Sequence, residues 1–250
     1  MSITERVLLL FAFCVARYPA MAQVADSARH HTDVTGLVTV TNKGISTIPS
    51  FTLGKPAAIF NLYVTRRAMS FEPEIKYGLD GKPWTFVFWW RYKALDSGKG
   101  HIQLGGHPAV AFRTIPAATD GSSPGMIAAR RYLAGEVNAS YALARHIAVG
   151  TYYLYSYGVE EDAARNTHFV SLRANVTNVR LSDVYTMRFF PQVYYLKVDN
   201  RDGYYLNGAA TLARRNFPFS ISSMVNTTIR STVVQKDDVL WNLSLTYAIK

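Results

Sequence analysis

Residues 82–93 read Lys-Pro-Trp-Thr-Phe-Val-Phe-Trp-Trp-Arg-Tyr-Lys. In an extended strand successive side chains alternate between faces. Trp84, Phe86, Phe88, Trp90 and Tyr92 therefore share one side, and Thr85, Val87, Trp89, Arg91 and Lys93 share the other. The first side is wholly aromatic. A soluble sandwich would bury that side and give the other to water. A strand in a bilayer would turn the aromatic side to hydrocarbon and the other inward. The choice rests on whether the remainder of the chain repeats the design.

It does so from Ile45 onward, with almost no helical periodicity. A first strand is expected near Ile45–Leu53, then Gly54-Lys55-Pro56 as a turn, then a strand near Ala57–Thr65. Near Met69–Gly78, Phe71, Pro73, Ile75 and Tyr77 oppose Ser70, Glu72, Glu74 and Lys76, and Asp80-Gly81 supplies a hairpin signal. Further alternating runs fall near 101–114, 132–144, 147–157, 170–177, 184–198, 204–212 and 217–226. The 147–157 run is so rich in tyrosine that its facing is ambiguous. The last, Val239–Ile249, sets Val239, Trp241, Leu243, Leu245, Tyr247 and Ile249 against Asn242, Ser244, Thr246 and Ala248. The expectation is an all-β, antiparallel barrel of about twelve strands, an even count as bacterial spanning barrels require. The long connections, near 115–128 and 159–166, fall on the side away from the termini. The tight turns at Arg66-Arg67, Arg145-His146 and Arg214-Arg215 fall on the terminal side.

At the amino terminus, Arg6 precedes the apolar run Val7–Ala16, and Ala20-Met21-Ala22 offers small residues for cleavage before Gln23. Residues 1–22 therefore read as a secretory signal: the run is too short to span a bilayer. Residues 23–43 read as a polar lead segment and 44–250 as the barrel. Cys14, the sole cysteine, lies in the signal, so the exported chain holds no disulfide, thiolate metal site or cysteine nucleophile. The formal charge is +10. In an exported protein such a balance points to acidic lipid headgroups or anionic solutes rather than nucleic acid.

The signal, the cysteine-free exported chain, the continuous alternation and the amphipathic closing strand together resemble Gram-negative outer-membrane β-barrel proteins, of the porin-like kind. The resemblance covers residues from about 45 to 250 and implies fold and location more firmly than activity. It implies outer-membrane lipid as surroundings, small solutes as cargo and the outer-membrane assembly machinery as a partner during biogenesis. In that class the closing strand usually ends in an aromatic residue; here Tyr247 stands three positions early. A soluble β-sandwich or lipocalin-like barrel would instead carry many Lys and Glu on its outward face. The polar face here is largely Ser, Thr, Asn, Gly and Tyr.

With the apolar face on lipid, Trp84, Phe86, Phe88, Trp90, Tyr92, Trp241 and Tyr247 are expected outside. Glu72, Glu74, Lys76, Arg91, Lys93, His107, Arg113, Glu136, Arg173 and Arg188 are expected to line the interior, as a selective constriction or as an ion-paired filling. The basic residues outnumber the acidic ones, which favours an anionic solute passing through a passive channel. The alternative is a closed structural or binding barrel whose external loops meet a partner. A lipid hydrolase would need a serine activated by a histidine; His101, His107, His146 and His168 are available, but no local His-x-Ser arrangement appears. Glu72 and Glu74 read as charge partners rather than an acid/base pair. No cofactor motif and no metal cluster stands out; adjacent His30 and His31 read as solvated.

Overall fold

In the computed structural model, which describes residues 31–115, 126–233 and 237–249, the chain is a closed antiparallel barrel in which each strand pairs with its sequence neighbours. The strands are β1 (Asp33–Thr41), β2 (Ala57–Arg66), β3 (Met69–Gly78), β4 (Pro83–Ser97), β5 (Gly100–Ile115) and β6 (Met126–Ala144), followed by β7 (Ile147–Gly158), β8 (Asn166–Arg180), β9 (Tyr185–Val198), β10 (Arg201–Arg214), β11 (Phe219–Ser231) and β12 (Val239–Ile249). Closure comes from β1 against β12, with Val38 opposite Tyr247 and Thr41 opposite Ser244. A closed barrel pairs every backbone N–H and C=O and leaves no edge, the condition for crossing hydrocarbon with strands.

The alternation reads outward as expected. Trp90, Leu172, Trp241 and Leu243 are each more than half exposed, whereas Tyr205, Asn207, Thr167 and Ser171 are buried inside. A soluble protein buries large apolar groups and exposes polar ones; here the relation is inverted along whole strands. Phe86 stays on the outer face between Tyr77 and Phe112, with ring centroids 5.3 and 4.9 Å away. Tyr247 rests on Phe219 at 4.9 Å. In the tyrosine-rich β7 the facing is settled: Leu154 and Ser156 are buried inside while Tyr153 and Tyr157 are exposed outside.

Two expectations are corrected. The count of twelve holds, but the first strand is Asp33–Thr41 rather than Ile45–Leu53, so the barrel begins inside the segment read as a polar lead. Its Gly36-Leu-Val-Thr-Val-Thr41 run alternates as a strand should. Ile45, Ile48 and Phe51 instead recur every third residue, and Pro49 opens a short 3-10 turn, Pro49–Phe51, because it offers no N–H to a ladder. Trp84, expected on lipid, is only 3% exposed and points into the barrel. The cause is a β-bulge: Lys76 pairs with Thr85 and Tyr77 with Pro83, leaving Trp84 as the extra residue on β4. Residues 1–30, and with them the signal, Cys14 and His30, lie outside the described residues, as do 116–125 of the loop between β5 and β6.

The ends of the barrel differ. Turns at the end holding both chain termini are short, and Arg67 and Asn216 adopt positive φ in two of them. The opposite end carries the long connections, including residues 42–56 between β1 and β2.

Candidate functional site: the lumen and its plug

Residues 42–56 do not arch away from the barrel; they fold into its loop-side mouth. Gly44 ties the segment's ends, donating to the Lys55 carbonyl at 2.8 Å and accepting from Leu53 N at 3.0 Å. The walls hold it from several sides. Trp84 Nε1 donates to the Phe51 carbonyl at 2.8 Å. Tyr194 Oη donates to the Thr47 carbonyl at 2.8 Å. Asn242 Nδ2 donates to the Lys43 carbonyl at 3.2 Å. Phe51 packs edge-on against Tyr132, 5.1 Å between centroids. A side chain at Gly44 would strike the Trp84 ring at 2.9 Å. Thus β4, β6, β9 and β12 all grip one segment, which divides the mouth into cavities of about 520 and 700 Å3, both lined by Ser50, Thr52, Leu53 and Arg113.

Below the plug, one half of the lumen is filled by rings. Leu154, Phe169, Tyr194, Leu196 and Tyr205 form a buried cluster, reached by Ile48 from the plug and by Trp89 from the facing wall. Tyr194 lies parallel to Tyr205 at 4.8 Å. The other half holds the charges. Arg91 Nε donates to Glu136 Oε1 at 2.6 Å, and its Nη1 donates to Glu72 Oε2. Glu136 also accepts from Tyr152 Oη at 2.5 Å, and Glu72 accepts from Ser70 Oγ at 2.6 Å. Arg91 and Glu136 sit on β4 and β6, on either side of Gly105 in register. A Cβ at Gly105 would lie 2.7 Å from Glu136 Oε1, so the missing side chain is the slot through which the ion pair closes. Glu74 pairs with Lys76 at 2.6 Å and accepts from Asn61 Nδ2 at 3.2 Å. His107 lies against Trp89 at 3.8 Å between rings, and its Nδ1 is buried with no hydrogen-bond partner.

Of the ten residues expected inside, Glu72, Glu74, Lys76, Arg91, His107 and Glu136 thus form one neighbourhood on β3–β6. Lys93, Arg113 and Arg188 are exposed nearer the mouths, with Arg113 between the two loop-side cavities. The mid-lumen is therefore balanced between acids and bases rather than strongly basic. Arg173 differs from the rest: it donates to Asn138 Oδ1, lies 4.8 Å from the Tyr152 ring and 5.7 Å from the Phe190 ring, and meets no carboxylate among the described residues. Alternation puts Tyr194 and Tyr205 on the inward face without marking them as site residues, and it leaves the facing of Tyr152 open, although the density of tyrosine was a visible signal. Sequence reading missed the plug because the register-breaking Pro49 was assigned to a strand.

Two of the four histidines open to hydrolytic chemistry have side-chain hydrogen-bond partners. His101 Nδ1 lies 2.7 Å from Asp96 at the terminal-side rim, and His168 Nδ1 lies 3.0 Å from Tyr153 Oη. Among the described residues no group of three metal-ligating side chains comes together.

A closed up-and-down barrel, apolar outside and polar inside, with short turns at the terminal end and long connections at the other, defines the outer-membrane class of β-barrel. No family model matches the chain, and no curated protein matches it in sequence. Solved structures do match in fold. An outer-membrane channel from Pseudomonas putida F1 superposes with a TM-score of 0.51 at 9% identity, over 91% of this chain and 99% of that one. The KdgM porin in complex with disordered oligogalacturonate gives 0.50 at 8%, over 85% and 98%. The NanC porin gives 0.50 at 12%, over 86% and 98%.

Proposed function

We propose that the protein resides in a Gram-negative outer membrane as a narrow passive channel for small anionic solutes, and that residues 42–56 form the constriction at its loop-side mouth. Residues 1–22 serve as the cleaved export signal. The assembly machinery receives the amphipathic β12 as the closing strand. The observation that carries the reading is Arg173, a half-buried lumen cation with aromatic rings beside it and no carboxylate at ion-pair distance among the described residues. A cation so placed supplies a charge-assisted contact to a passing anion without first breaking an ion pair. Arg113, between the two mouth cavities, extends the positive path toward the loop side. A fold shared with the KdgM porin, whose solved complex holds an oligogalacturonate, supports acidic sugars as the solute class to test first.

One observation favours a second reading, a closed barrel: Ile48 from the plug and Trp89 from the facing wall both pack against the Leu154–Tyr205 cluster. Single-channel recording in planar bilayers separates the two. Discrete conductance steps whose reversal potential in a salt gradient is displaced toward the anion value support the channel. Correctly folded protein that gives no steps at any voltage supports the closed barrel.

A further inference from the structure

The two rims of the barrel treat their cations differently. At the loop end four bases are matched with acids, Lys43 with Asp237 at 3.3 Å, Arg131 with Glu160 at 2.6 Å, Lys55 with Asp80 and Arg130 with Asp162, while Arg113, Arg165 and Arg201 make no ion pair among the described residues. At the terminal end every one of the turns carries an exposed base. Arg66 and Arg67 stand between β2 and β3, Lys99 between β4 and β5, Arg145 between β6 and β7, Arg180 at the end of β8, and Arg214 and Arg215 between β10 and β11. None of these makes an ion pair among the described residues. Three acids share this rim, Asp96 beside His101, Asp33 beside His31 and Asp183 in the turn between β8 and β9, fewer than the bases.

Immediately toward the bilayer from these bases runs an exposed outer belt with a polar-tipped ring on most sides: Tyr92, Tyr141, Tyr185 and Tyr247, with Phe217 and Phe219. Phe217 lies 5.4 Å from Phe219, and the Arg214 guanidinium lies over the Phe217 ring at 5.9 Å. Aromatic side chains with one polar end settle at the level of lipid headgroups. That belt places the unpaired guanidinium and ammonium groups at or just beyond the phosphate plane. Keeping an excess of like charges around one rim is unfavourable unless something anionic sits opposite them.

We propose that this rim is a docking surface for anionic phospholipid headgroups of the leaflet on the terminal side, with the arginines gripping phosphate oxygens and the aromatic belt setting depth. Arginine suits the role because its planar fork donates two parallel hydrogen bonds to one phosphate. Ring geometry distributes the bases around the circumference, so the surface selects the immediate shell of lipid rather than a single bound molecule. The inference is independent of whether the lumen conducts.

The test uses full-length exported protein refolded into vesicles of phosphatidylcholine with one-third phosphatidylglycerol, then extracted gently and examined by native mass spectrometry for retained lipid. The wild type is expected to retain phosphatidylglycerol severalfold above its share. The preference should fall as salt rises, and each Arg→Gln change at positions 66, 67, 145, 214 or 215 should lower it by roughly two- to fivefold. The paired change Arg130→Gln with Arg131→Gln at the loop end should leave it unaltered. The salt titration on wild type needs no variant, so a folding defect in any variant does not remove the test. Retention in proportion to lipid composition at low salt would overturn the proposal. So would a preference that survives neutralising the rim, or one that a soluble acidic polymer matches while lipid does not.

Discussion

Arg91 reaches Glu136 across the backbone of Gly105, and that geometry fixes what single changes do. Glu136 is 4% exposed and supplies one of two carboxylates to Arg91 while accepting from Tyr152, so Glu136→Gln keeps shape but leaves a half-satisfied cation in a poorly solvated place. The expected loss is about 1–3 kcal/mol of folding free energy, because stranding a partner costs more than the intact pair contributes. Urea unfolding of the vesicle-bound protein measures it. Arg173→Gln is different in kind. No carboxylate is stranded by it, so the loss of stability is expected to be smaller than for Glu136→Gln, while the anion preference read from reversal potentials moves toward zero. A preference unchanged in that variant would remove Arg173 from the conduction path.

Among the elements, residues 42–56 are the one whose role was least legible before the structure, and the reasons are physical. Strand pattern reads the period of two well wherever one face meets lipid, which is why eleven of the strands and nearly all of their facings follow from alternation alone. The plug meets no lipid and faces water only at the mouth, so nothing enforces an alternation; its Ile45, Ile48 and Phe51 face a curved interior at a spacing of three. The inward turn of Trp84 was hidden for a related reason, since a bulge is a feature of two strands in register and no single strand announces it. The acid partners of Arg91 were visible as charges on the inward face, but their pairing across Gly105 depends on the register of three strands. Tyr194→Phe removes the hydrogen bond to the Thr47 carbonyl, and replacing 45–52 by a Gly-Ser linker removes the plug itself. Longer open dwell times are expected for the first and a severalfold larger unitary conductance for the second, both read in planar bilayers; equal conductance with and without 45–52 would show that the aromatic cluster, not the plug, sets the limit. A second element at the same mouth responds to acid. Hydrogen bonds from Arg131 to Glu160 and from Arg130 to Asp162 hold both carboxyls below the usual carboxylate range. A folded value lowered in this way gives a contribution present above the unfolded value and lost as pH falls through the folded one. Amide protection across residues 159–165 is therefore expected to hold at neutral pH and to fall below about pH 4.

For the whole molecule, the decisive relation is the inversion of inside and outside, and it can be measured directly. Leu172 is near the middle of β8, 60% exposed, with Thr151 of β7 and Val193 of β9 beside it in register. Its strand neighbour Ser171 points inward and is buried. If the outer wall faces hydrocarbon, a charge at 172 sits near the bilayer midplane, where arginine on a lipid-facing strand costs roughly 2–4 kcal/mol. If the same wall faced water, Leu172→Arg would shift stability by no more than about 0.5 kcal/mol, as exposed substitutions ordinarily do. Ile249→Arg supplies the comparison: it is also outward and 49% exposed, but it lies at the strand end beside the terminal rim, where the cost in lipid falls to about 0–1 kcal/mol. The expected outcome of urea titrations in vesicles is a large loss at 172 and a small one at 249, a gradient with depth that a uniformly hydrated surface has no means of producing. Equal and small effects at the two positions would refute the membrane placement and the lipid contact at the rim together, while leaving the strand pairing of the barrel intact.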